Sequence, residues 1–271
     1  MVKFGICNEM FEGWKIEDVF QKAKEIGYEG VEVSPFTLAY SVTEISPKER
    51  ERIRESAERT GIEIIGLHWL LVKPEGLYIN HPDESIRKKT SAYFQELIKF
   101  CADLGGKTLV IGSPKQRNIL PEQSYEETWE KTKLTLRESL PLAEEKKVFL
   151  CFEPLSPKET NFINTCEEAV KLIEEINHPN LQLILDVKAM SSEDKPVEEV
   201  IKKGGKYLKH FHANDDNGLG PRFGSMDYQK IKAALDEVGY EGYLSVEVFD
   251  FSLGAEYIAR KSIENLREIW G

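Results

Sequence analysis

The segment DYQKIKAALDEVGYEGYLSVEVFD, residues 227–250, carries the unit from which the fold can be read. Ile231, Ala234, Leu235 and Val238 stand three and four residues apart, the spacing of a helix with one buried face. Gly239 follows, the residue type that takes the left-handed conformation closing a helix. YLSVEVF, rich in β-branched and aromatic residues, then predicts a strand over residues 243–250, with Glu247 toward its carboxyl end.

The same unit recurs along the chain. Strand-like runs lie near residues 3–8, 30–34, 62–70, 108–113, 148–154, 181–187, 208–213 and 243–250. Amphipathic stretches separate them, among them IEDVFQKAKEIG (16–27), PDESIRKKTSAYFQELIKFCADLG (82–105), YEETWEKTKLTLRESLPLAEEK (125–146) and CEEAVKLIEEI (166–176). Glycines stop several, as in EIGYEG, ERTGIEI and DLGGKTLV. Strands alternating with helices give a parallel sheet, and eight such units predict a closed TIM (β/α)8 barrel, one α/β domain over residues 1–271. An open doubly wound sheet would carry a glycine-rich turn after its first strand, where CNEMFEGW (7–14) stands instead.

A formal net charge of −11 leaves no basic surplus to neutralise phosphates, so no nucleic-acid partner is expected. Cys7, Cys101, Cys151 and Cys166 form no CxxC pair and indicate neither a zinc knuckle nor a disulfide framework; they read as buried thiols of a reducing compartment. No run approaches a membrane span, and MVKFGICNEM opens on a strand pattern rather than a leader. The expectation is a cytoplasmic protein with no membrane partner.

In such a barrel the chemistry lies at the carboxyl ends of the strands. Those positions are polar here: Asn8, Glu9, Glu32, His68, Lys115 with Gln116 and Arg117, Glu153, Asp186, His212 with Asn214, and Glu247. Residues two apart on a strand share a face, so Glu153 stands above Cys151, Asp186 above Ile184, His212 above His210 and Glu247 above Ser245. Any one of them alone is as readily a salt-bridge partner or a satisfied core histidine. Three carboxylates crowded at one apolar mouth, however, repel one another unless a cation lies between them. Glu153, Asp186, His212 and Glu247, from four successive strands, therefore form the expected ligand set of one divalent metal ion. Its oxygen-rich character suits manganese first, then magnesium or cobalt, and zinc also accepts these ligand types. His210, one pleat deeper, is expected to support the ligands or to pack.

FEPLSPKETNFINT (152–165), LILDVKAM (183–190), HFHANDDN (210–217) and YLSVEVFDF (243–251) resemble the strand motifs of the xylose isomerase-like TIM barrels, over nearly the whole chain. That grouping takes in sugar phosphate isomerases and epimerases, ketose 3-epimerases, inosose isomerases and dehydratases, and endonuclease IV. Resemblance to the ketose 3-epimerases implies Glu153, Asp186, His212 and Glu247 as metal ligands, Glu153 and Glu247 as the two catalytic acids, and Glu159 as a sugar contact. Two residues depart from that branch: Ala189 stands where it has a substrate-binding histidine, and Gly218 where it has an arginine. His68 matches a ligand position of the nuclease branch, but Ala189 and Gln229 stand where that branch has further histidines, which leaves its three-zinc cluster incomplete.

The activity implied is that of a metal-dependent isomerase or epimerase acting on a small sugar, a ketose or keto-polyol. One glutamate removes the proton beside a carbonyl, the metal stabilises the enediolate, and the other glutamate returns the proton. A dehydratase or lyase would expel a substituent from the same enediolate, and a barrel that binds a metabolite without turnover is the rival from another class. His68, Lys115, Arg117 and Arg222 are expected around the substrate. Trp69 beside His68 suits a pocket wall, where an indole can lie against a sugar face, although strand alternation points it away from His68 and favours core packing. LLVKPEGLYINHPDE (70–84) suits a cover over the pocket or a subunit contact in a homo-oligomer, and NDDNGLGPRFGSMDY (214–228) reads as a flexible or substrate-contacting loop.

Overall fold

The apolar runs become eight parallel strands in a computed structural model that describes residues 1–271. They are β1 Lys3–Cys7, β2 Gly30–Val33, β3 Glu63–Leu67, β4 Thr108–Ile111, β5 Phe149–Phe152, β6 Leu181–Asp186, β7 Leu208–Ala213 and β8 Tyr243–Val246. Each pairs with its neighbours in sequence order, and β8 returns to β1, so the sheet closes into a barrel. The α-helices outside it are α1 Ile16–Ile26, α2 Pro47–Thr60, α3 Glu84–Asp103, α4 Tyr125–Arg137, α5 Leu140–Lys146, α6 Cys166–Ile176, α7 Val187–Met190, α8 Val197–Gly204, α9 Tyr228–Glu237 and α10 Ala255–Trp270. None is long and apolar enough to cross a membrane.

Local chemistry sets the element ends. Helix α1 buries Ile16, Val19, Phe20, Ala23 and Ile26 along one stripe and stops at Gly27, whose φ of 108° a side chain would disfavour. Helices α4 and α6 open on capping boxes, Ser124 with Glu127 and Thr165 with Glu168, which satisfy free N–H groups of the first turn. The stretch 125–146, which reads as one helix, breaks after Arg137. Pro141 lies four residues on, and its ring would meet the Arg137 carbonyl in a continuous helix; near the start of α5 its missing N–H is no loss.

A layer of 68 buried residues, outward-facing on the strands and inward-facing on the helices, forms the main core. Inside the barrel only Val110, Cys151 and Ile184 make an apolar cluster. Glu32, His210, His212 and Ser245 are buried with them. Each buried ion costs several kcal/mol, of order ~3 or more, unless it is paired, so the outer apolar layer must carry the stability of the fold.

Two register shifts aim side chains into the lumen. Between β6 and β7, Leu183 pairs with Leu208 but Ile184 with His210, leaving Lys209 as an extra residue. Asp186 therefore lies level with His212, where an unshifted ladder would set it against Phe211. Between β2 and β3, a second shift falls at Val31/Glu32. Several strands end earlier than their sequence suggests: His68, Glu153 and Glu247 each follow the last residue of β3, β5 and β8 and turn onto the mouth.

Candidate metal centre

The side chains of Glu153, Asp186, His212 and Glu247 converge at that mouth, with one donor atom of each within 4.8 Å of the others. They are nearly closed off from solvent, at 5, 2, 0 and 5 % exposure. Nδ1 of His212 lies 2.9 Å from Glu247 Oε2 and 3.6 Å from Glu153 Oε1. Despite this proximity it has no aligned hydrogen-bond partner, so a buried nitrogen faces the acids unsatisfied. Asp186 is fixed from behind: Oδ1 accepts from the Ala189 N–H at 2.7 Å, and Oδ2 from Asn214 Nδ2 at 2.5 Å. Asn214 in turn accepts from the Lys188 N–H at 2.8 Å.

Crowding changes how several of these groups ionise. Burial, then repulsion from Glu153 and Glu247, pushes the Asp186 carboxyl up to about 7. Burial also raises Glu153. Burial works against a charged His212, but Glu247 and Glu32 outweigh it and hold the imidazole well above its usual range. Three hard carboxylates and one imidazole with an orphaned ring nitrogen fit a divalent ion.

A pocket opens above these groups, lined by His68, Trp69, Gly112, Glu153, Glu159, Glu247 and Phe249, among others. His68 Nε2 is shared between Glu9 Oε2 at 2.7 Å and Ser34 Oγ at 2.9 Å. Glu159 accepts from Lys188 Nζ at 2.7 Å and from Ser156 Oγ at 2.7 Å. A larger cleft at the opposite end of the barrel, lined by Lys3, Lys107, Lys209 and His210, holds none of the four clustered ligands.

Several expected substrate contacts lie elsewhere. Arg117 is buried rather than at the mouth: the turn Pro114–Gln116 carries it inward, and its guanidinium donates to the backbone carbonyls of Glu153 at 2.6 Å and of Ile111 and Ile163 at 3.4 Å. Lys115, on the same turn, is exposed and outside the pocket wall. Arg222 is exposed too and pairs with Glu268 of α10. The segment 214–228 is tied internally, with Asp215 Oδ1 accepting from the N–H groups of Asp216 and Met226. The loop 70–84 buries Leu70, Leu71, Leu77 and Ile79 against the body of the protein instead of standing free as a cover.

Of two aromatic pocket residues, Trp69 takes the wall rather than the core that alternation favours, and Phe249 is not anticipated by the sequence. Trp69 has φ 53°, which breaks the strand alternation and brings its ring to the wall beside His68. Phe249 stacks edge-on against it at 6.5 Å. The available signal for Phe249 is its parity, two residues beyond Glu247.

The family model for xylose isomerase-like TIM barrels matches residues 20–269, and the chain belongs to that family. Among curated proteins it is 26% identical over 235 residues to the D-psicose 3-epimerase of Ruminiclostridium cellulolyticum, covering 84% of this chain and 76% of that one. It is 23% identical over 262 residues to the fructoselysine 3-epimerase of Shigella flexneri, covering 94% and 93%. The crystal structure of D-psicose 3-epimerase with D-tagatose from Clostridium cellulolyticum shares the fold at a TM-score of 0.89 and 22% identity, over 99% of both chains.

Proposed function

We propose that this protein is a divalent-metal-dependent epimerase or isomerase of a ketose or keto-polyol. One observation carries the reading: Glu153 and Glu247 belong both to the four-residue cluster and to the wall of the pocket above it. They come from the ends of β5 and β8, three strands apart around the barrel, and so reach the pocket from different sides. Glu153, Asp186, His212 and Glu247 would hold the ion, manganese in the first instance, with magnesium, cobalt or zinc as alternatives. When bound, the ion would supply Lewis acidity toward a carbonyl and a neighbouring hydroxyl oxygen, acidifying the C–H bond beside them.

In this reading, one of the two glutamates takes the proton from that carbon. Protonation of the resulting enediolate by the other, on the opposite face, inverts the centre; protonation at the neighbouring carbon moves the carbonyl. His68 and Glu159, which line the pocket, would bond sugar hydroxyls, and the rings of Trp69 and Phe249 would lie against a C–H face. The relatives are named as 3-epimerases and, in Escherichia coli, a 3-dehydro-D-guloside 4-epimerase, which supports inversion next to a keto group.

The departures at Ala189 and Gly218 bear on which sugar fits. The Gly218 carbonyl accepts from the Phe249 N–H at 2.7 Å, and Lys188 Nζ sits 4.4 Å from the centre of the Phe249 ring. An aromatic wall beside a Lys188–Glu159 pair thus adjoins Gly218, the position at which the resemblance to the ketose 3-epimerases implies an arginine.

The deciding experiment is incubation of manganese-loaded protein with ketoses, keto-glycosides and inososes in deuterated water. Deuterium is expected at a single carbon with no other change in mass. Loss of water from the product would mark a dehydratase instead, and retention of every carbon-bound proton across the panel would sink the proposal.

A further inference from the structure

Glu32 lies at the centre of the barrel with no solvent exposure. Its Oε2 is 2.8 Å from His210 Nε2 and 3.2 Å from His212 Nε2, and the Cys7 thiol approaches the same oxygen at 3.7 Å. The two nitrogens of the His212 ring therefore have different surroundings. Nε2 faces Glu32, whereas Nδ1 faces Glu153 and Glu247. An ionised carboxylate can only accept, so Nε2 keeps its proton toward Glu32, and an ion held by Glu153 and Glu247 would take the place of the proton on Nδ1 and meet its lone pair.

A buried carboxylate at this depth needs a reason. The lumen around it is otherwise suited to apolar residues, as Val110, Cys151 and Ile184 show. Replacing buried ions by apolar groups of similar volume is often neutral or stabilising, so fold stability alone gives Glu32 little purpose. The two register shifts fall where they bring this carboxylate and the two histidines together: at Val31/Glu32 between β2 and β3, and at Leu183/Ile184 between β6 and β7. Irregularities of this kind re-aim side chains next to functional sites.

We propose that Glu32 is a positioning residue: by accepting from Nε2–H it fixes the tautomer and tilt of His212 and aims Nδ1 at the ion. His210 holds the shared oxygen from the other side. The proposal rests on the metal reading above and adds a residue that touches neither ion nor substrate. Outer carboxylates of this type change metal affinity by about 10- to 100-fold in general.

The test is manganese affinity, read from the free-ion signal in electron paramagnetic resonance, for the wild type and Glu32→Gln. A second measurement needs no variant: long-range proton–nitrogen spectra of the zinc-loaded wild type, in which only five histidines need assignment. The expected results are manganese binding weaker by about 10- to 100-fold in Glu32→Gln, and a wild-type His212 protonated on Nε2. Circular dichroism of both metal-free proteins checks that the fold is kept. A wild type that takes up no manganese sinks the metal reading and this proposal with it. A wild type that binds manganese and zinc while His212 carries its proton on Nδ1, or a folded Glu32→Gln that binds manganese as tightly as the wild type, overturns the role of Glu32 alone.

Discussion

Gly112 leaves the Glu153 carboxylate its room: a Cβ at residue 112 would overlap Glu153 Oε2. Gly112 follows the end of β4, and its φ is not in the left-handed region, so the requirement is one of close approach rather than backbone freedom. Gly112→Ala should displace the carboxylate while leaving the barrel folded. A displacement of about 1 Å in a reacting group lowers turnover by about 100-fold, and overpacking lowers stability by about 1–3 kcal/mol. Deuterium exchange into a substrate, measured beside a thermal melt, checks both. Exchange within a few-fold of the wild type would show that Glu153 does not need this position.

Arg117 should matter for stability and not for substrate. Its guanidinium satisfies carbonyls of three segments, at Ile111, Glu153 and Ile163, and burial pushes its ionisation down to about 10. Arg117→Met leaves the Glu153 carbonyl without its donor, at about 1–3 kcal/mol for a buried group left unpaired, while the Ile111 and Ile163 carbonyls still accept from the Glu153 and Leu155 N–H groups. Urea unfolding of the metal-free protein should register the loss. At a temperature where the variant stays folded, KM should move little; a large rise in KM with unchanged stability would restore Arg117 to the substrate site.

Trp69 couples backbone strain to the pocket wall. A residue other than glycine in the left-handed region is disfavoured by about 1–2 kcal/mol. Trp69→Gly should therefore melt above Trp69→Ala, by about 1 kcal/mol once the greater freedom of unfolded glycine is counted. Both should raise KM, because both remove the ring that faces Phe249. Equal melting points for the two variants would mean the φ of 53° stores no strain.

How far the sequence can be read follows the range of the forces involved. Helix stripes and glycine stops act within a few residues, and they lead directly to the closed barrel. Strand parity also acts locally, and it puts Glu153, Asp186, His212 and Glu247 on inward columns that meet in space. Arg117 reads as a mouth residue from sequence because its partners, the carbonyls of Glu153 and Ile163, lie 36 and 46 residues away along the chain. Arg222 is misplaced for the same reason, its partner Glu268 being in the last helix. Trp69 needs a backbone angle that alternation does not anticipate, and the joining of Glu32 to two histidines needs register shifts that no periodicity shows.

The crowded acids give the metal-free protein a characteristic pH dependence. Asp186, pushed up to about 7 by burial and by its neighbours Glu153 and Glu247, binds its proton more tightly in the folded state than in the unfolded chain, where aspartate titrates near about 3.9. His212, held well above its usual range, acts in the same direction. The folded state thus carries more protons than the unfolded one, and stability must fall as pH rises from about 4 to about 7. Carboxyl groups held low, such as Glu32 and Glu159, oppose this only below about 4.3, since above it they are ionised in both states. Asp186→Asn should flatten the decline in chelator-treated protein. In the wild type, manganese at about 100 times its dissociation constant at neutral pH should add about 2.7 kcal/mol there, and the same concentration should add more at higher pH because protons compete for the same atoms. Urea midpoints across the pH range, with chelator or with manganese, measure all of this. A chelator-treated wild type whose stability falls no more steeply through the window than that of Asp186→Asn would show that the three carboxylates do not crowd one another as described.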